Sequence, residues 1–352
     1  MSLIKKIGMG TSLLRAKVTG RRFPFMINWA ITGRCNLRCK HCYGAYGDLQ
    51  REELPADIIF RTIDQLQEMG TRRITIEGGE PLVRRDIVDI IDYINSKGME
   101  ISLCTNGILL DKYISRIYRK VDLIVLSLDG RQEYNDWLRG KGTFTKTLHA
   151  METAAGYNVR TLVFATIIDN NINDIEYLAE LIKKYRANIT YNIAVAKLDA
   201  AGRNALNKVD DEQYRNVVKR IIKLKQNGYP VYYSDKNYRQ ALHWPDFKKE
   251  CYLPAEISAL SASRRKYLIP CFAGRRFAFI EANGDVYPCY QTVGTLAVKN
   301  IKTDGIRASF NHLQTLNYCQ ACYNLTLAEL NLQADLDMGS VFKVIKNYFW
   351  PG

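Results

Sequence analysis

Between residues 26 and 195, short runs of branched and aromatic apolar residues alternate with longer stretches whose apolar positions recur every three or four residues. The short runs span 26–32 (MINWAIT), 72–81, 99–107, 121–130, 160–169 and 188–195. Each predicts a strand buried on both faces, as in a parallel sheet. The stretches 53–70 and 85–99 between them carry the periodicity of amphipathic helices and reach a glycine at or near their ends, a common helix stop. Repetition of this strand–helix unit predicts an α/β fold, a partial (β/α)6 TIM-like barrel with its helices outside.

The rhythm changes after about residue 200. Residues 211–233 still read as helix, turn and strand, but regular alternation then fades. Residues 276–290 (RFAFIEANGDVYPCY) predict a β-hairpin turning at Asn283–Gly284, a pair that accepts the positive φ angles of a tight turn. The expected organisation is an N-terminal arm over 1–25, a barrel over 26–234 and a small cysteine-rich domain with that hairpin over 235–352.

A length of 352 residues at 47% hydrophobic content excludes a disordered chain and gives enough apolar material for a large core. No stretch approaches the roughly 20 apolar residues of a membrane span, so a soluble protein is expected, cytoplasmic and at most peripheral to a membrane. Net charge is +14, and the first acidic residue is Asp48, preceded by Lys5, Lys6, Arg15, Lys17, Arg21, Arg22, Arg34, Arg38 and Lys40. Such an arm suits phosphates, an anionic lipid surface or an acidic peptide. The tail VFKVIKNYFW sets Phe342, Phe349 and Trp350 beside Lys343 and Lys346, and either end could lie on lipid or pack against the barrel.

The cysteines sharpen the picture. They stand at 35, 39, 42, 104, 251, 271, 289, 319 and 322, an odd number and uneven spacing that fit metal ligation in a reducing compartment better than a disulfide framework. Cys104 falls inside an apolar strand and reads as core. The stretch CNLRCKHCY (35–43) follows the first predicted strand, at the end where barrel enzymes place their chemistry. Three soft thiolates suit zinc or an iron–sulfur cluster; zinc needs a fourth ligand, for which His41 is at hand.

Cys35-x3-Cys39-x2-Cys42 on such a loop, followed at the end of the second strand by Gly78-Gly79-Glu80-Pro81, resembles the radical S-adenosylmethionine (SAM) superfamily. The resemblance covers about 25–200. It implies a [4Fe–4S] cluster on Cys35, Cys39 and Cys42 whose fourth iron is chelated by SAM, reductive cleavage to a 5′-deoxyadenosyl radical, and hydrogen abstraction from substrate. It also implies that Gly78 and Gly79 admit the methionine moiety and that Glu80 meets its ammonium. Polar groups at further strand ends, Thr105, Asn106, Ser127, Asp129 and Thr166, would then serve the ribose and carboxylate; each alone could equally be a turn or cap residue.

Cys271-x12-Gly284-x4-Cys289, followed by Cys319-x2-Cys322, resembles the SPASM and twitch domains found after some of these barrels. No cysteine follows 322, whereas a complete SPASM domain carries more and binds two clusters. The resemblance therefore implies one auxiliary [4Fe–4S] cluster on Cys271, Cys289, Cys319 and Cys322, and two [4Fe–4S] clusters in all. Cys251 could replace one of these ligands, and a zinc ribbon is the alternative on ligand type. An auxiliary cluster favours net oxidation of a peptide or small-metabolite substrate, with an electron donor such as flavodoxin or ferredoxin. The expected start of the barrel at residue 26 leaves no room for the N-terminal peptide-recognition domain of many relatives. Two other readings remain at this level: a lipid or isoprenoid substrate at a membrane, and a non-enzymatic iron–sulfur or zinc protein binding RNA, although nucleic acid is the weaker partner.

Overall fold

The computed structural model describes residues 11–14, 16–42, 44–47, 52–194, 209–337 and 339. Strand β1 (Met26–Thr32) is followed by helix α1 (Ala56–Met69), β2 (Arg73–Gly78), α2 (Ile87–Ser96), β3 (Glu100–Thr105), α3 (Leu110–Ile117) and β4 (Leu123–Ser127). Then come α4 (Gln132–Arg139), α5 (Thr143–Gly156), β5 (Thr161–Ile167), α6 (Ile175–Lys184), β6 (Asn188–Ile193), α7 (Asp211–Gln226) and α8 (Asp235–Leu242). The C-terminal part adds β7 (Cys251–Tyr252), α9 (Pro254–Ala259), α10 (Ala262–Arg265), β8 (Phe277–Ile280), β9 (Val286–Tyr287), α11 (Gly305–His312), β10 (Ala321–Cys322) and α12 (Leu325–Ala334).

Strands β1 to β6 lie side by side in chain order, all parallel. Alternation sets the layers: on β2, Ile74 and Ile76 are fully buried, while Arg73, Thr75 and Glu77 on the other face are only partly so. Helix α1 turns Ile59, Ile63 and Leu66, all buried, onto the sheet. Each such side chain removed from water contributes roughly 2 kcal/mol. The helix ends where Gly70 takes φ 102 and donates its N–H back to Leu66 and Gln67.

The hairpin is present, with a wider turn than the pattern suggested. Ile280 pairs Val286, so residues 281–285 form the loop, and Gly284 (φ 97) takes the positive φ without Asn283. Its placement was not visible in the pattern. Strand β8 runs parallel along β1, extending the barrel sheet to the order β6-β5-β4-β3-β2-β1-β8-β9. The opposite edge is engaged too, since Thr326 of α12 donates to Asn192 of β6 at 2.8 Å. The C-terminal segment thus touches both margins of the partial barrel. Glu329 fastens α12 to α8, accepting from the Ser234 N–H, the Ser234 hydroxyl and Asn237.

In the arm, Leu13 and Ala16 are buried in one cluster with Phe23, Phe25, Cys271 and Cys289, while Leu14 and Val18 stay exposed. The tail residues Phe342, Lys343, Lys346, Phe349 and Trp350 lie outside the described residues. Among the described residues no helix is long and apolar enough to cross a membrane.

Candidate active site

The loop of Cys35, Cys39 and Cys42 leaves the C-terminal end of β1 and is clasped from two sides. On one side, Gly79 donates to Thr32 O and Glu80 to Arg34 O, both at 2.9 Å, so the residues after β2 continue its pairing into the loop. A Cβ at Gly79 would stand 2.1 Å from Arg34 O, and one at Gly78 (φ 129) 2.4 Å from Thr32 O. The close approach that glycine permits here is therefore to the chain's own thiol loop. On the other side, Lys40 N donates to Leu138 O at the end of α4, and Asn106 reaches Asn36 at 2.8 Å.

Glu80 is fully buried. Oε1 accepts from Leu82 N and the Thr105 hydroxyl, and Oε2 accepts from Asn106 N at 2.7 Å. Burial pushes its carboxyl up to about 7, with those donors pulling the other way. Glu80 thus ties the ends of β2 and β3 together, and Oε2 retains a lone pair for a further donor. Ser127 sits half-buried at the end of β4, on the face opposite the buried Ile124 and Leu126.

Asp129 and Thr166 meet in a second network, which includes two residues, Arg139 and His41, that no motif marks for it. Asp129 Oδ1 accepts from Thr166 N at 2.7 Å, and Oδ2 takes the Arg139 guanidinium of α4 in a buried ion pair. Burial alone would raise the Asp129 carboxyl, but the Arg139 guanidinium holds it below the usual range. Arg139 also bonds His41 Nε2 at 3.3 Å and lies close enough to influence Cys39 and Cys42. Burial lowers the His41 imidazole to about 4, so it is neutral, and its Nδ1 is buried with no hydrogen-bond partner. A buried cation beside the thiol loop is therefore provided by Arg139, not by His41.

Two carboxylates face the barrel interior near the same loop. Glu77, next to Gly78, has Oε1 buried and unpartnered, and burial with the nearby Glu281 pushes its carboxyl up to about 8. Tyr46 donates to Glu281 at 3.3 Å. Cys104, expected in the core, is instead half-buried on the inner face of β3, within electrostatic reach of Glu77 and Glu80. The signal for Glu77 was in the strand itself: a carboxylate at an inward position of an otherwise apolar run.

The second thiol group gathers Cys271, Cys289, Cys319 and Cys322, and Cys251 with them. Cys251 and Cys322 are directly opposed across the β7–β10 pair, and Cys271 N donates to Gln320 O at 2.8 Å. Tyr290, the neighbour of Cys289, packs both against this cluster and against the one that borders Cys35 and Cys42.

The donor chemistry fits iron–sulfur clusters: both groups are thiols, with carboxylates and imidazole held in separate networks. None of the nine cysteines is in a disulfide. Burial lifts Cys35 and Cys289 to about 12 and Cys271 to about 11, so the metal-free thiols are protonated at neutral pH and would yield protons on ligation. Among the described residues no three Cys, His, Asp or Glu groups stand close enough to share a single metal ion.

Comparison with known proteins gives two family matches, the radical SAM superfamily over residues 29–182 and an iron–sulfur cluster-binding domain, SPASM, over 271–323. The chain is 32% identical over 217 residues to Fe-coproporphyrin III synthase of Methanosarcina barkeri, matching 58% of this chain and 54% of that protein's length. It is 27% identical over 292 residues to mycofactocin maturase MftC of Mycolicibacterium smegmatis, covering 80% of this chain and 68% of the relative. Its fold matches Streptococcus suis SuiB, solved bound to the precursor peptide SuiA, with a TM-score of 0.65 at 17% identity over 85% of this chain and 67% of SuiB. With a barrel match and an iron–sulfur match following one another along one polypeptide, the chain carries a domain of the radical SAM superfamily over residues 29–182 and a SPASM domain over 271–323.

Proposed function

We propose that the chain abstracts hydrogen from a peptide or small-metabolite substrate, using SAM cleaved at a [4Fe–4S] cluster on Cys35, Cys39 and Cys42. The bound cluster and SAM would supply the 5′-deoxyadenosyl radical once one electron is delivered. The observation that carries the reading is the clasp between the thiol loop and Gly78-Gly79-Glu80, in which Gly79 N and Glu80 N bond Thr32 O and Arg34 O. That clasp fixes the loop beside strand ends bearing Glu80, Thr105, Asn106, Ser127, Asp129 and Thr166, the groups proposed to hold SAM. Glu80 would receive the SAM ammonium on its remaining lone pair, and the cation would keep its carboxyl ionised.

The remaining parts of the reading concern the region after the barrel. Residues 235–352 are proposed to hold one auxiliary [4Fe–4S] cluster, with the barrel over 26–234. Cys271, Cys289, Cys319 and Cys322 are four of its candidate ligands. Tyr290 packs against the surroundings of both thiol groups, which supports passage of an electron from a substrate radical to the auxiliary centre and hence net oxidation. An external low-potential donor, flavodoxin or ferredoxin, would reduce the first cluster in a reducing cytoplasm.

A peptide or small polar metabolite is favoured over a lipid because the barrel's inner face carries Glu77, Cys104 and Glu281, groups that reward a hydrogen-bonding guest. The relatives point the same way: SuiB was solved with a precursor peptide, and others are named as a maturase and a porphyrin synthase. The test is anaerobic incubation of the reconstituted protein with SAM and dithionite, reading 5′-deoxyadenosine by mass spectrometry. Turnover in the native chain and none in the Cys35→Ala, Cys39→Ala, Cys42→Ala triple variant is expected. Equal turnover in both would refute the assignment.

A further inference from the structure

The auxiliary thiol group holds one sulfur more than a protein-ligated four-iron cluster uses, and the extra residue lies outside the stretch that matches the SPASM family, 271–323. The five are not equivalent. Cys271, Cys289 and Cys322 are 7%, 5% and 4% exposed. Cys251 and Cys319 are half-buried and are hydrogen-bonded to each other through their side chains. Cys251 and Cys319 thus meet each other within the group of five.

The backbone explains why both are there. Cys251 is carried on β7 directly opposite Cys322 on β10, and directly opposed residues of an antiparallel pair point to the same face. Cys319 arrives at that face from the turn before β10, where Gln320 donates to Tyr252 O and accepts from Cys271 N, both at 2.8 Å. Gln240 of α8 holds the Cys322 carbonyl at 2.9 Å, and Asn331 of α12 holds Phe272 N at 2.6 Å. Cys322 and Cys271 are therefore anchored by neighbouring helices, while the 251–319 pair lies at the more open side.

We infer that Cys251 is a ligand of the auxiliary cluster and shares one coordination position with Cys319, the other three positions being fixed by Cys271, Cys289 and Cys322. This rests on the auxiliary-cluster reading above. Either thiolate can complete the shell, and the one not bound stays hydrogen-bonded to its partner. A cluster so held keeps its fourth iron ligated when one of the two thiols is lost or oxidised.

The experiment is done in the Cys35→Ala, Cys39→Ala, Cys42→Ala background, so that all bound iron reports the auxiliary site. Iron and acid-labile sulfide are measured after anaerobic reconstitution, with low-temperature EPR of the dithionite-reduced protein. The background, its Cys251→Ser derivative and its Cys319→Ser derivative are each expected to hold about four irons. The two derivatives should differ from each other in g-values, because each fixes one of the alternatives. The Cys251→Ser/Cys319→Ser derivative should fall below four irons, as should Cys271→Ser alone. Loss of the cluster in Cys319→Ser alone, or retention of four irons with an unchanged spectrum in the double derivative, would overturn the sharing. A background chain that binds no iron would refute the auxiliary cluster itself.

Discussion

Replacing Arg139 by Gln isolates the part of the site that sequence motifs do not mark. Asp129 has no exposed surface, and its side chain holds two kinds of partner: Thr166 N on one oxygen, Arg139 on the other, with His41 at 3.6 Å. The neutral amide leaves that carboxylate buried with its main cation gone, a situation that costs about 3–5 kcal/mol when one member of a buried pair is removed. In the native chain His41 does not share that charge, since burial, with Arg139 adding to it, holds its imidazole down at about 4. The assay is urea denaturation of the metal-free protein at pH 7, comparing Arg139→Gln, Asp129→Asn and the double variant. The double variant should recover most of the loss, because the stranded charge has gone with its partner.

The pH dependence has a definite sign. In the native chain Asp129 is held below its ordinary value, so its contribution is present above that value and is lost as pH falls through the depressed one. In Arg139→Gln, burial dominates and the carboxyl rises, so the variant's deficit should shrink between pH 7 and pH 5 as Asp129 takes a proton. A single variant within about 1 kcal/mol of the native chain at pH 7, or a double variant no better than the single, would refute the reasoning. Loss of a cation next to Cys39 and Cys42 should also make the loop cluster harder to reduce, read as a more negative midpoint in a potentiometric EPR titration.

Gly79→Ala should unseat the thiol loop, because its Cβ would stand 2.1 Å from Arg34 O, backbone that cannot swing aside; iron analysis should show the auxiliary irons retained and about four lost. Glu77, raised to about 8 from an ordinary carboxyl value near 4.5, should destabilise the metal-free fold as pH climbs between those values. The upper bound is on the order of 4 kcal/mol, and Glu77→Gln should flatten the urea midpoint against pH; an unchanged slope would contradict the burial of that carboxyl. Because Cys35, Cys271 and Cys289 are pushed up to between about 11 and 12, cluster assembly must release their protons. Reconstitution followed by absorbance should therefore be slower at pH 6.5 than at pH 8.5, and a flat profile would argue against protonated thiols.

What the sequence made legible was whatever short-range periodicity encodes. The six barrel strands, the 276–290 hairpin and the two thiol motifs all declare themselves in local stretches of chain. Boundaries were less sharp: the second strand stops at Gly78 rather than 81, because Gly79 and Glu80 turn to bond the thiol loop. Arg139 was illegible because its importance depends on α4 ending against a loop that lies far earlier in the chain. For a similar reason the sequence leaves Cys251 open between a ligand and a free thiol, since only a two-residue pairing of β7 with β10 brings it to the others. The parallel seating of β8 on β1 joins segments from opposite ends of the chain, and no local pattern announces it.

That seating makes the last third of the chain a slat of the barrel instead of an appendage. A fragment ending at residue 234 would leave the outer hydrogen-bonding edge of β1 bare along Met26–Trp29, an invitation to intermolecular strand pairing. Exchange of the C-terminal module between relatives would have to bring a replacement strand with it, and heating the intact protein should melt both regions in one transition.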